Sequence, residues 1–205
     1  MNRTGGRDDE ANNVISLLFV EYMKVHRRAI IGSFENVTGM WRDKNIRYLV
    51  QILGDLVNAG FQVRCCVLKA CDYGDPQKRP RIFVFAARPF VVLPGIPKPT
   101  HGPAGLARYV TAGEALCELE RHRGSHDLPN MAGKTSRAAD RRYLQRDAPA
   151  AAVGAKCVPL MHYNRDLDRC ITVREAATLQ SFPYAYPFRG SINDQYKQVR
   201  RSLDH

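Results

Sequence analysis

Gly74-Asp75-Pro76-Gln77-Lys78-Arg79-Pro80-Arg81, running directly into Ile82-Phe83-Val84-Phe85, is the stretch on which the fold turns. Gly, Asp and Pro mark a loop, and the apolar residues after Arg81 mark a buried strand. In a strand, residues i and i+2 point to one face. Arg79 and Arg81 have that spacing, so two guanidiniums aim at one place. Guanidinium is the side chain best matched to phosphate or to the carbonyl edge of a base. The same stretch also suits a turn with exposed charges ahead of an edge strand, so its meaning depends on its surroundings.

Those surroundings are basic. In 205 residues, 31 Lys and Arg oppose 20 Asp and Glu, giving a formal charge of +11 and a pI near 9.6. Such a surplus favours a polyanionic partner, nucleic acid first and an acidic membrane surface second. A length of 205 residues suffices for one real core with room for a small second lobe, and 44% hydrophobic content is ordinary for a globular chain. The opening residues, Met1 to Glu10, are polar and mixed in charge, unlike a signal peptide. The apolar run Val14 to Val20 contains Ser16 and stops at Glu21, too short to span a bilayer. The chain therefore reads as soluble and intracellular, with no membrane partner. Its six cysteines form no Cys-x-x-Cys pair, which fits reduced, buried thiols and no metal site.

Periodicity organises the first ninety residues as helix, strand, helix, strand, loop, strand. Asn12 or Asn13 caps a helix whose apolar positions include Val14, Leu17, Leu18, Tyr22 and Val25. Ala29 to Phe34 suits a buried strand, ending at Glu35-Asn36-Val37 with a turn at Thr38-Gly39. Ile46, Leu49, Val50, Leu53, Leu56 and Val57 recur at helical spacing, and Gly60 supplies a C-terminal cap. Phe61 to Ala70 and Arg81 to Ala87 read as two further strands. This order predicts an α/β layered domain, with ligands outside the strand ends. Glu35 lies at one such end, and the Arg79–Arg81 joint suits the same edge.

After Pro89 the character changes. Pro94, Gly95, Pro97, Pro99, Gly102 and Pro103 form a linker-like stretch. Thr111 and Glu114 form a capping-box pattern for a short helix to Glu120. From Arg121 to Arg146 the chain is basic and nearly free of aliphatic residues. Arg121, Arg123, Lys134, Arg137, Arg141 and Arg142 dominate it. That segment suits either a solvated loop or a surface on which guanidiniums meet phosphates. Order returns at Val158-Pro159-Leu160. Thr172 and Glu175 then form a second capping box, for a helix running to Gln180 ahead of Phe182-Pro183. Gln198 to His205 have no clear place in the pattern.

Three blocks now stand in order. They are Glu35-Asn36-Val37, Gln77-Lys78-Arg79-Pro80-Arg81, and Thr172-Val173-Arg174-Glu175-Ala176-Ala177 with Leu179-Gln180-Ser181-Phe182-Pro183. Together, with a basic insert between the second and third, they resemble the C5-cytosine DNA methyltransferases, eukaryotic members in particular. The resemblance runs from about Asn2 to Val199. It implies a partial class I, Rossmann-like methyltransferase sheet with a small, mostly irregular target-recognition lobe. Residues 1–93 would be the C-terminal half of the catalytic domain and 94–165 the basic target-recognition region. Residues 166–199 would return to the catalytic domain, and 200–205 would be an atypical tail.

The resemblance further implies DNA as partner, S-adenosylmethionine as cofactor of the complete family member, and a nuclear location. The enzyme flips cytosine out of the duplex, and a cysteine thiolate attacks C6. Glu35 matches the glutamate that bonds and protonates N3. Arg81 matches the arginine at the cytosine carbonyl edge, Arg79 its companion, and Asn36 and Gln77 supporting positions. Arg121, Arg123, Lys134, Arg137, Arg141, Arg142 and Arg174 would face DNA.

The chain also departs from the family. The family's nucleophile sits in a Pro-Cys-Gln loop, and none of the six cysteines here follows proline in such a loop. The Phe-x-Gly-x-Gly cofactor turn is missing, and Gln195 to Val199 leads into Arg200-Arg201 where the family has Gly-Asn-Ala-Val-Pro. These residues alone are therefore expected to be inactive and not to bind the cofactor. Ile30, Ile31 and Phe34 are expected on a bare sheet edge that self-associates. Two other readings remain open: a non-catalytic DNA-binding remnant, and a relative acting on tRNA.

Overall fold

The computed structural model of the chain describes residues 7–42, 45–121, 142–152, 162–164 and 169–201. They fall into two compact units. One comprises Met1–Leu68 with Pro80–Lys98, the other Lys69–Arg79 with Pro99–His205.

The first unit is a three-stranded sheet with helices. Its elements are α1 (Arg7–Val25), β1 (Ile31–Val37), a 3-10 turn (Thr38–Trp41), α2 (Ile46–Asn58) and β2 (Gln62–Lys69). After β3 (Gln77–Lys78), which belongs to the other unit, β4 (Pro80–Ala87) completes the sheet. The strand order is β1-β4-β2. The most apolar strand takes the centre: Ile82, Val84 and Ala86 are fully buried. Pro80 opens β4, the one strand position where a missing N–H costs little. β1 runs antiparallel to β4, from Ile31 opposite Ala87 to Val37 opposite Arg81. β1 thus continues through Glu35 and Asn36, which lie inside the strand rather than beyond its end.

α2 buries Leu49, Ile52 and Leu56 and leaves Val50 and Val57 exposed, so its buried stripe is narrower than its apolar pattern. Gly60, at φ 84°, closes it in the left-handed conformation that glycine adopts without strain. α1 departs further from expectation. It begins at Arg7, ahead of Asn12, and buries Ser16, Val20 and Met23. Leu17, Leu18, Tyr22 and Val25 are exposed. The reason is close approach: a Cβ on Gly32 would lie 2.6 Å from Met23 Sδ. The missing side chain draws the Ser16–Met23 ridge onto β1, and Phe19 stacks on Phe34 with ring centroids 5.7 Å apart. Phe34 is thereby buried, contrary to the bare-edge expectation, whereas Ile30 and Ile31 are exposed.

Among its described residues, the second unit has short strands and three α-helices. β3 pairs in parallel with β6 (Ala150–Ala151). β5 (Arg142–Tyr143), β7 (His162–Asn164) and β8 (Arg169–Cys170) form another small sheet. α3 (Ala112–Arg121), α4 (Val173–Thr178) and α5 (Ile192–Arg201) enclose a core of Leu116, Leu119, Ile171, Ala177, Leu179 and Val199. Both predicted capping boxes form. Glu114 N–H donates to Thr111 Oγ1 and Thr111 N–H to Glu114 Oε2. Thr172 and Glu175 exchange the same bonds at 3.1 and 2.7 Å. α4 stops at Thr178, earlier than expected. α5 was not anticipated, although Ser191 caps it through Asp194 N–H, a polar pair three residues apart that the sequence displays. Among the described residues, no helix is long and apolar enough to cross a membrane.

Two substitutions measure what holds each unit. Leu56→Ala, at a fully buried site, lowers unfolding free energy by about 2–5 kcal/mol. Thr172→Ala, which removes a buried cap, costs about 1–2 kcal/mol. Urea denaturation reads both, with exposed Val50→Ala as a control expected within about 0.5 kcal/mol of wild type.

Candidate functional site

Glu35 and Arg81 come together in the first unit. Glu35 is opposite Phe83 in the β1–β4 register, and Arg81 lies two residues before Phe83. They are diagonal neighbours on one sheet face, within reach of long side chains. Arg81 Nε lies 2.8 Å from Glu35 Oε1, with the two side chains 17% and 32% exposed. Arg81 Nη1 donates to the Pro80 carbonyl at 2.9 Å, which fixes the plane of the guanidinium. Asn36 Oδ1 accepts from Val37 N–H at 2.7 Å and tightens the strand end. An acid and a rigid fork of donors thus stand side by side at the rim of a sheet. This pair can take a planar ligand that offers an acceptor beside a protonatable nitrogen.

Gln77 and Arg79 lie in the second unit and are buried there. Gly74, at φ 94°, ends a 3-10 turn (Ala70–Tyr73), and a Cβ on it would lie 2.9 Å from the His101 ring. Ala70 N–H donates to the Arg79 carbonyl, closing the hairpin that presents the segment. Asp75 Oδ1 accepts a 2.6 Å bond from the Ser181 hydroxyl, 106 residues away in sequence. Ser181 holds φ 57°, a conformation that side chains other than glycine rarely adopt. Burial pushes the Asp75 carboxyl above the ordinary carboxylate range, while the Ser181 hydroxyl and the charge of Arg79 oppose that shift. The side-chain amides of Gln77 and Gln180 are buried with no hydrogen-bond partner among the described residues.

Sequence reasoning missed two features. One is the Asp75–Ser181 contact: Asp75 lies two residues before the second block and Ser181 inside the third, and nothing in the sequence signals that they meet. The other is an aromatic cluster of Phe182, Tyr186 and Phe188, with ring centroids 4.9 to 5.3 Å apart. Arg174, expected to face DNA, seals it: its guanidinium carbon lies 5.1 Å from the Phe188 ring centroid and Nη2 donates to the Tyr186 carbonyl. Of the other expected DNA-facing residues, Arg123, Lys134, Arg137 and Arg141 lie outside the described residues. Arg121 ends α3 and Arg142 begins β5.

Burial pushes the Cys65, Cys66 and Cys71 thiols up, away from the thiolate that attack requires. Among the described residues no cluster of three or more His, Cys, Asp or Glu could hold a metal ion.

The family model of the C-5 cytosine-specific DNA methylases matches residues 6–103 and 106–203. Type II methyltransferase M.NgoFVII of Neisseria gonorrhoeae is 27% identical over 82% of this chain and 54% of its own length. Type II methyltransferase M.AplI of Arthrospira platensis is 33% identical over 84% of this chain and 52% of its own. The chain thus spans about half the length of these curated relatives. Among solved structures, a DNA modification methyltransferase encoded within an E. coli prophage superposes with a TM-score of 0.64 at 17% identity. That match covers 93% of this chain and 69% of the other. The S. pombe Dnmt2 methyltransferase gives a TM-score of 0.56 at 14% identity, covering 90% and 65%. At these identities the structural matches establish the methyltransferase fold.

The raised Asp75 value has a defined sign. Its folded form holds a proton more readily than its unfolded form, so stability falls as pH rises through the titration. The loss begins near pH 4, where an unfolded aspartate titrates. Asp75→Asn keeps an oxygen for Ser181 and removes the charge. It is expected to gain stability relative to wild type as pH rises from about 4 to 7. Urea denaturation at the two ends of that range measures the difference.

Proposed function

Because the chain belongs to the C-5 cytosine-specific DNA methylase family, we propose that these 205 residues form the base-recognition wall of an enzyme that methylates C5 of cytosine in DNA. The ion pair between Glu35 and Arg81 at 2.8 Å carries this reading. Nucleophilic addition at C6 of cytosine drives negative charge into the ring. A carboxylic acid at N3 neutralises that charge as it forms. The guanidinium donates to the ring carbonyl, which fixes the base against the acid and rejects a ring with the wrong edge. Glu35 is the proton-handling group at N3, and Arg81 orients the base. A base must leave the duplex to reach them. The +11 charge supports a DNA substrate through phosphate contacts.

The complete family member takes its methyl group from S-adenosylmethionine. These residues contain no Phe-x-Gly-x-Gly turn, the cofactor motif that the resemblance implies. No step of the reaction is therefore assigned to a cofactor held here. The nucleophilic thiolate is likewise placed on polypeptide other than these residues, because no Pro-Cys-Gln occurs among them. That absence also favours a second reading, a DNA-binding module without catalysis. In it, Arg81 and Glu35 form a structural ion pair.

Binding to duplexes that hold one mismatched cytosine or one mismatched thymine separates the two readings. The chain is expected to prefer the cytosine duplex about tenfold, the value of one well-read base edge. Glu35→Gln and Arg81→Ala are expected to remove that preference while leaving salt-dependent affinity in place. Equal affinity for both duplexes overturns base recognition, and affinity that falls as salt rises would then support the second reading. The chain alone is expected to transfer no label from radiolabelled S-adenosylmethionine to DNA. Turnover that Glu35→Gln abolishes would place the nucleophile within these residues.

A further inference from the structure

The solvent-facing side of α1 carries an apolar stripe that no described residue of the first unit covers. Ile15, Leu18, Tyr22 and Val25 are 58, 60, 55 and 69% exposed. Their spacing of three, four and three residues is that of a coiled-coil seam, which faces another helix. The buried ridge of Ser16, Val20 and Met23 lies beside it, so α1 is apolar over far more than the one face a surface helix needs. A helix of that kind is covered on both sides.

Charge names the occupant. The first turn of α1 holds Asp8, Asp9 and Glu10 beside the single base Arg7, whereas His26, Arg27 and Arg28 follow the helix, after a Lys24 that is paired with Glu21 at 2.8 Å. We propose that the Ile15–Val25 stripe is a self-association surface, on which α1 of a second copy of this chain packs antiparallel. Leu18 then meets Tyr22 of the second copy, and Ile15 meets Val25. A twofold axis between Leu18 and Tyr22 brings each acidic first turn towards the other copy's basic exit. At 1.5 Å per residue, the acidic turn lies roughly 15 to 18 Å from that axis and the helix end at Val25 roughly 8 Å from it on the same side, with His26 to Arg28 following. A parallel arrangement would set acid against acid and base against base. The contact is isologous and closes as a dimer. It moves the expected self-association from the sheet edge to the helix, and it is independent of the reading of Glu35 and Arg81.

Sedimentation velocity and light scattering on the full chain at micromolar concentration test it. The expected mass is twice the 23.1 kDa of one chain. Leu18→Lys and Tyr22→Lys are expected to weaken the dimer at least about tenfold, the loss of one buried large side chain. Both side chains are exposed, so far-UV circular dichroism of each variant stays that of wild type. Ile31→Lys, on the free sheet edge, leaves the dimer intact. A mixture of Ile15→Cys and Val25→Cys chains is expected to cross-link more than either chain alone. A monomer at these concentrations overturns the proposal. So does a dimer that Ile31→Lys dissolves and Leu18→Lys spares, or dominant cross-linking of Ile15→Cys to itself. The mismatched-cytosine preference of the Lys variants stays unchanged, which separates failure here from failure of base recognition.

Discussion

The antiparallel register between β1 and β4 is the constraint from which the candidate site follows. Ile82, Val84 and Ala86 fill the interior from one face of β4, so Arg81, Phe83 and Phe85 must take the other. Pairing Val37 with Arg81 then puts Glu35 one diagonal step away. A slip of one residue would turn every β4 side chain to the opposite face and separate acid from guanidinium. The ion pair does not enforce this arrangement. It is partly exposed, and such pairs contribute about 1 kcal/mol or less. Burial of β4 sets the register, and the register makes the pair.

The second unit trades stability for polar groups held inside. The amides of Gln77 and Gln180 are buried without a partner among the described residues, and a buried polar group left unmet costs about 1–3 kcal/mol. Ser181 adds a strained backbone. Packing of Leu116, Leu119, Leu179 and Val199 offsets those costs. The segment that carries Gln77 and Arg79 is therefore held in place by a core built almost entirely from residues after Pro99. The loop that leads into the second block meets the third block there through the hydrogen bond between Asp75 and Ser181. The first block, at Glu35, belongs to the other unit.

Local signals in the chain were legible where one residue suffices to produce the feature. Gly60 ends α2 because only glycine takes its φ cheaply, and Thr172 with Glu175 opens α4 because their side chains reach backbone donors three residues apart. α5 was legible in principle from Ser191 and Asp194, but its few apolar residues hid it. The helical face of α1 was not legible. Its apolar residues occupy two adjacent faces, and periodicity does not say which one a sheet will take. Gly32 decides that, because the space it leaves admits Met23.

By itself, the sequence determined the family, the order of the three blocks, the basic charge and the helix caps. Each of these depends on residue identity or on spacing within one turn or strand. Tertiary structure alone decided that Glu35 and Arg81 touch, that Asp75 meets Ser181, that Arg174 packs on Phe188, and that the α1 stripe faces solvent. Those contacts join residues as many as 106 positions apart. They arise from which faces are buried first, a competition among whole elements that no local pattern encodes.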